Sequence, residues 1–236
     1  MPVISFANPK GGAGKTTAAL LLAGELAGKG ARVCIVDADP ERWISQWGRL
    51  PGRPEGIEIA GDATEESIVE LIEQAERRAQ FVVVDLEGTA SLMVAHAIGM
   101  SDLVLIPVQG SAMDARGAAK TVRLIRNQGK MARRSIAHAV VLTRTSAAVA
   151  SRALRHVRGQ LEAAAVPVLA TSIVERAAFR DLFDYGGTLA GLDPTRVSNV
   201  DKAMANARRF AGEVLTRLRA SEATVPVAPA SVEEAV

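Results

Sequence analysis

Ten residues near the start of the chain, Asn8 to Thr17, constrain its fold more than any others. Lys10-Gly11-Gly12-Ala13-Gly14-Lys15-Thr16-Thr17 follows a short apolar run, Val3 to Ala7, and precedes an Ala- and Leu-rich stretch from about Thr16 to Lys29. A strand, a glycine-rich turn and a helix in that order form the setting of a phosphate-binding loop. Gly11, Gly12 and Gly14 allow the backbone to turn tightly, so that successive N–H groups, Ala13 included, face phosphate oxygens. The helix that follows adds its positive end. Lys15 is expected to reach the β- and γ-phosphates, Thr16 to ligate Mg²⁺ through its hydroxyl, and Thr17 to lie by the α-phosphate. An ordinary loop of this type needs no lysine at its beginning. Lys10 can add positive charge against a developing γ-phosphoryl anion, and its place on the far side of the loop fits reach toward a partner subunit's nucleotide, or else a solvated loop lysine.

Three carboxylates stand at the ends of later apolar runs. Asp37 and Asp39 close Arg32 to Val36 as Asp37-Ala38-Asp39-Pro40, and Asp85 closes Phe81 to Val84. In a parallel sheet the carboxyl ends of strands share one edge, where ligands bind. Asp85 is expected in the outer shell of a Mg²⁺ ion, with Asp37 supporting that shell and Asp39 orienting the attacking water. The Gly88 N–H is placed to contact the γ-phosphate.

Further apolar runs at Ile57 to Ala60, Leu103 to Ile106, Ala139 to Leu142 and Val166 to Ala170 alternate with helical segments at Glu41 to Gly48, Asp114 to Gln128 and Ala148 to Ala163. Asp62-Ala63-Thr64-Glu65 reads as a capping box opening another helix, with Ile68, Leu71, Ile72, Ala75 and Ala79 on its apolar face. A final helix is expected from Asn199 to Arg219. The pattern predicts an α/β fold, a doubly wound, mostly parallel sheet flanked by helices. One ATPase domain would span residues 1–219, and the Ala-, Pro-, Val- and Glu-rich residues 220–236 are expected to be a disordered tail. Hydrophobic residues make up 48% of the chain and aromatics only 3%, so the core must be built from small aliphatic side chains. One cysteine, Cys34, excludes a disulfide framework and a cysteine metal site within one chain. No leader segment or run of about 20 apolar residues is visible, and a cytoplasmic protein is expected.

The net charge of +2 conceals an asymmetry. Between Ala115 and Leu161 lie Arg116, Lys120, Arg123, Arg126, Lys130, Arg133, Arg134, Arg144, Arg152, Arg155 and Arg158, with no acidic residue, while acidic residues gather between Glu55 and Glu76. Such a block fits a polyanionic partner, or else solvated faces neutralised from elsewhere in the fold.

With Lys10, the Asp37/Asp39 pair and Asp85 in place, the chain resembles the ParA/MinD family of deviant Walker A ATPases, and most of all small ParA proteins of the ParF type. The resemblance runs from Met1 to Leu218 and includes Val3 to Lys10, Ser101 to Val108 and Leu142-Thr143-Arg144. It implies ATP and Mg²⁺ as cofactors, slow hydrolysis, and an ATP-bound homodimer with Lys10 crossing the interface. It also implies nonspecific binding of double-stranded DNA, release by a ParB-like or cargo-adaptor protein, and a nucleoid-associated location. Thr143 and Arg144 would lie near the adenine. Glu41 stands where many relatives have Gln, Thr143 where many have Asn, and Glu87-Gly88 where a Pro is usual. DNA contacts in relatives point to Arg176, Arg180, Lys202, Arg208 and Arg209. The acidic, proline-containing end argues against a membrane partner. Trp43 and Trp47 read as packing residues, or else as part of a partner surface. Competing readings are an ATP-controlled filament, a conjugative DNA-transfer accessory ATPase, and a metabolic P-loop enzyme; the last lacks a visible substrate module.

Overall fold

The computed structural model describes residues 1–89, 91–146 and 152–222. Seven strands, β1 (Val3–Phe6), β2 (Val33–Ala38), β3 (Ile57–Ala60), β4 (Phe81–Leu86), β5 (Leu103–Val108), β6 (Ala137–Thr145) and β7 (Ile173–Val174), form one sheet in the order β3-β2-β4-β1-β5-β6-β7. Every pairing is parallel. The connecting helices are α1 (Lys15–Ala27), α2 (Trp43–Trp47), α3 (Ile68–Arg78), α4 (Leu92–Met100), α5 (Ala112–Met131), α6 (Arg152–Ala163), α7 (Ala177–Tyr185) and α8 (Val200–Glu222).

Side-chain alternation along the strands divides the core into two layers. Ile4, Phe6, Ile35, Val83, Leu105 and Val141 face α1, α7 and α8. Val3, Val36, Val82, Val84, Val104 and Val140 face α3, α4, α5 and α6. Both faces are covered, which is why the strands read as continuous apolar runs. Cys34 is fully buried in the second layer, and burial pushes its thiol up to about 11.

Four expectations need correction. The last strand is Ile173–Val174. Val168 makes only an isolated bridge to Val140, because Pro167 has no N–H to extend a ladder on one side and Glu213 takes the Thr171 N–H on the other. Helix α3 begins at Ile68 rather than in the Asp62 segment. There Asp62 has φ 62 and pairs with Arg42, so the box expected between Asp62 and Glu65 does not form; Thr64 and Ser67 instead exchange side-chain-to-backbone bonds, a reciprocal box two residues later. Helix α4 has no counterpart in the sequence reading, since its run Leu-Met-Val-Ala-His-Ala-Ile-Gly-Met shows no amphipathic stripe. Finally, α8 continues through Ala220, Ser221 and Glu222, residues expected in the tail. The rest of that tail, residues 223–236, and the expected start of α6 at Ala148 lie outside the described residues.

Helix α8 also fixes the chain between β6 and β7. Glu213 accepts hydrogen bonds from the Ala170 and Thr171 amides at 2.6 and 2.7 Å. Asn206, buried, accepts from Val174 N and donates to the Ser172 carbonyl. The irregular strand edge therefore has its polar groups satisfied by a helix.

Candidate nucleotide site

The loop after β1 is held from three directions. Asn8 is buried; its amide donates to the Pro107 carbonyl at 2.5 Å, and its oxygen accepts from Lys10 N at 2.9 Å. Gln109 donates to the Gly12 carbonyl at 2.6 Å, and the buried Thr143 hydroxyl donates to the Ala13 carbonyl at 2.7 Å. Gly12 and Gly14 have φ of 73° and 94°, left-handed values that exact a steric cost from any residue with a Cβ. Gly14 is the residue from which α1 starts, so the helix's unpaired N–H groups meet the loop there.

The three carboxylates converge as expected. Asp85 pairs in register with Phe6 on one side and Asp37 on the other. Asp37 accepts from Ser45 N and Ser45 Oγ at 2.7 and 2.6 Å through one oxygen; the other is buried without a partner. Both oxygens of the fully buried Asp85 lack a hydrogen bond of good geometry. Burial pushes its carboxyl up to about 8, Asp37 and Asp39 push the same way, and the Thr16 hydroxyl and Lys15 oppose them. Burial likewise lowers Lys15, against the pull of Asp85, Asp39 and Glu87. Gly88 stands against this lysine: a Cβ there would lie 3.3 Å from Gly11 N and 3.5 Å from Lys15 Nζ. The site thus has buried charge of both signs with too few internal partners, an arrangement that external ions can complete.

Two adjoining cavities extend from the loop. One, of about 490 Å³, is bounded by Gly11, Gly12, Gly14, Lys15, Thr16, Thr17, Asp39, Trp43 and Gly88. The other, about 310 Å³, runs from Thr17 past Thr143 and Arg144 to Val174, Arg176 and Phe179. Arg144, Arg180 and Phe183 line both. Every residue expected to serve the nucleotide is at this edge, but Thr143 turns its hydroxyl to the loop. Of the tryptophans, Trp47 is buried and donates to the Gly187 carbonyl, whereas Trp43 is half exposed beside the cavity and is not a core residue.

Sequence reasoning missed Asp114. It is fully buried at the start of α5 and accepts from Lys10 Nζ at 2.7 Å. It also forms a capping box with Ser111. The Ser-x-x-Asp spacing at Ser111 was the available signal. Among the described residues, no cluster of three or more His, Cys, Asp or Glu side chains can hold a metal alone. The unpartnered oxygens of Asp85 and Asp37 beside Thr16 fit a cation that arrives with phosphate oxygens and water.

A parallel sheet carrying a two-lysine phosphate loop and carboxylates on adjacent strand ends defines a P-loop protein of the ParA/MinD type. The chain belongs to the VirC1 family, whose model, described as VirC1 protein, matches residues 1–221. Protein ParA of Rhizobium radiobacter is 40% identical over 218 residues, which cover 92% of this chain and 98% of that protein. Maintenance of carboxysome distribution protein A of Halothiobacillus neapolitanus is 31% identical over 183 residues, 75% of this chain and 82% of its own. Among solved structures, an ATP complex of a Cyanothece McdA variant superposes with a TM-score of 0.71 at 16% identity, covering 97% of this chain and 98% of that one. That similarity confirms the fold.

Proposed function

We propose that this protein is an ATP-dependent partition or cargo-positioning ATPase, switched by its own hydrolysis. The observation that carries the reading is the convergence of Gly11, Gly12, Gly14, Lys15, Thr16 and Asp39 on one open cavity, with the under-partnered Asp85 and Asp37 buried on adjacent strand ends behind Lys15 and Thr16. A triphosphate supplies the anions that Lys15 and the loop lack. Thr16, Asp85 and Asp37 would hold a Mg²⁺ ion, which would supply neutralisation of the phosphate charge. Asp39, at the cavity's edge, orients the water that attacks the γ-phosphorus. Lys15 stabilises the charge that gathers on the phosphoryl oxygens. Gly88, pressed against Gly11 and Lys15, is positioned to register loss of the γ-phosphate. The second cavity takes the base and ribose, with Thr143 and Arg144 on its wall.

ATP-dependent pairing of two copies follows from the same edge. Three exposed large hydrophobic residues, Trp43, Leu92 and Met113, stand on α2, α4 and α5 at the ends that follow strands, around the loop. Closing two copies over their nucleotides covers these side chains and brings Lys10 to the opposite γ-phosphate. The dimer then holds double-stranded DNA without sequence preference in a nucleoid-associated, cytoplasmic pool, until a ParB-like or cargo-adaptor protein stimulates hydrolysis. The ParA and carboxysome-distribution relatives favour the partition or positioning reading over a filament role. Among the described residues, no helix is long and apolar enough to cross a membrane.

Sedimentation with ATP or ADP, alongside phosphate release with and without DNA, tests the reading. A shift to dimer in ATP alone, with slow release, supports it. A monomer in both nucleotides with no release would refute it.

A further inference from the structure

Helix α5 presents an exposed face with no negative charge. Arg116, Lys120, Arg123, Arg126 and Lys130 are all exposed, and 116, 120, 123 and 130 follow the helical spacing that places them along one side. The helix has one acidic residue, Asp114, which is fully buried and held by Lys10 and Ser111. Among the described residues, none of these five cations pairs with a carboxylate. Neighbouring α4 has no acidic residue at all.

The stripe ends in a cleft of about 750 Å³ at the sheet edge away from the nucleotide loop. Arg123, Arg126, Lys130 and Arg133 line it, and no acidic residue does. Arg133 has φ 51, a left-handed value that favours glycine, just past the end of the helix. An exposed arginine occupies the position where glycine would serve the turn best. His138, in the same cleft, is held below its ordinary value by burial and then by the positive charge of Arg126 and Arg217. Positive charge here is therefore concentrated and not neutralised within the fold.

The basic residues of the C-terminal part are placed differently. Arg176 and Arg180 line the nucleotide cavities, and Arg180 pairs with Glu175. Arg208 is beside Glu25, and α8 also carries Asp201 and Glu213.

We propose that the exposed stripe of α5, continued by Arg133 into the basic cleft, is the surface that holds double-stranded DNA through its backbone phosphates. This deepens the proposed function by locating its DNA contact. Arg116 and Lys130 are separated by about 20 Å at the helical rise of 1.5 Å per residue. That length matches about six base pairs of duplex, and a row of Lys and Arg along one helix can neutralise successive phosphates without reading sequence. The buried Asp114 ties the start of this helix to Lys10, so the DNA surface and the nucleotide loop share one rigid element.

Fluorescence anisotropy with a labelled random-sequence duplex of about 30 base pairs, several times the stripe's reach, tests the assignment. The full chain is measured with and without MgATP at two salt concentrations. The triple variant Arg123→Ala/Arg126→Ala/Lys130→Ala is expected to weaken binding by at least about tenfold. It should also flatten the salt dependence by close to three counterions. The charge-keeping variant Arg123→Lys/Arg126→Lys/Lys130→Arg should bind within about threefold of wild type, as should Lys202→Ala/Arg209→Ala on α8. Wild-type affinity in the triple alanine variant, or an equal loss in the α8 variant, would overturn the proposal. So would tighter binding of poly-glutamate or RNA than of duplex DNA. A fluorescent ATP analogue titrated into the same samples separates the two ideas. Loss of DNA binding with normal ATP binding supports the α5 surface, whereas absence of ATP binding in wild type would sink the ATPase reading and leave the DNA result standing.

Discussion

The Lys10 ammonium lies 2.7 Å from an oxygen of Asp114, a carboxylate fully shielded from solvent, more than a hundred residues along the chain. Within one subunit the lysine that begins the loop is therefore held against the N-terminus of α5. To reach a neighbouring copy's nucleotide it must leave a buried partner, and dimer formation carries that cost.

Replacing either member of this pair has opposite expected effects on assembly. Lys10→Ala should bind ATP within about threefold of wild type, because Lys15 and the loop amides remain, and should fail to dimerise or turn over. Asp114→Asn should dimerise at lower ATP, since its lysine is released. Burial alone would raise the Asp114 carboxyl, but bonds from Lys10 and Ser111 outweigh it and hold the group below its ordinary value. A depressed folded-state pKa contributes stability above the unfolded value, about 3.9, that is lost as pH falls through the folded one. Lys10→Ala should thus start acid unfolding at higher pH. Sedimentation in ATP and acid titration by circular dichroism check both statements, and an unchanged dimer in Lys10→Ala would remove the lysine from the interface.

Lys15→Ala and Asp39→Ala should separate binding from chemistry. The first removes the main charge facing the β- and γ-phosphates, and ATP affinity should fall by at least about a hundredfold, the scale of a lost charge-assisted contact. The second should keep affinity within about threefold, with phosphate release falling by about a hundredfold or more, as for loss of a residue that orients the nucleophile. Equilibrium titration and a phosphate-release assay read the two effects. Normal turnover in Asp39→Ala would assign the attacking water to another group.

Asp85 gives a pH dependence of the opposite sign to Asp114. Its carboxyl is raised to about 8 in the nucleotide-free fold. Between about pH 4 and 8 the folded state therefore holds a proton that the unfolded state has released, so stability falls as pH rises. The limiting slope from one such group is about 1.4 kcal/mol per pH unit, or roughly 2–4 °C in Tm for each kcal/mol lost. Asp85→Asn should abolish that slope and melt higher than wild type at pH 8 without nucleotide. MgATP should narrow the difference by stabilising the ionised wild-type carboxylate. Parallel melting curves of the two proteins across this range would contradict the burial of an uncompensated carboxyl.

Thr143 is predicted to act on the loop. Thr143→Val keeps the shape but leaves the Ala13 carbonyl without its donor. A lost bond of this kind costs about 1–2 kcal/mol, so ATP affinity should fall by roughly tenfold. If Thr143 instead selects the base, ATP and GTP affinities will change unequally, which a paired titration detects.

The phosphate loop and the strand-end carboxylates were legible in the sequence because both depend on local order along the chain. Glycines at forced φ, a following helix and an Asp after a run of Val each leave a pattern within about ten residues. Asp114 was not legible as Lys10's partner, since only the β1–β5 pairing brings the two segments together. Helix α4 escaped notice for a different reason. It is packed along most of its length, so no polar stripe marks its period. The last strand was misplaced because the capture of the Ala170 and Thr171 amides by Glu213, some forty residues on, leaves no local sign.

The clamps from Asn206 and Glu213 set an order on synthesis. A nascent chain released only as far as Ala190 already contains the phosphate loop, its carboxylates and both residues 143 and 144. The amides of Ala170, Thr171 and Val174, the last of which lines the second cavity, still lack their α8 partners at that point. Competence to grip the whole nucleotide is acquired last, with α8, and a chain cut short before Asn206 retains a phosphate-binding turn but cannot complete the pocket behind it.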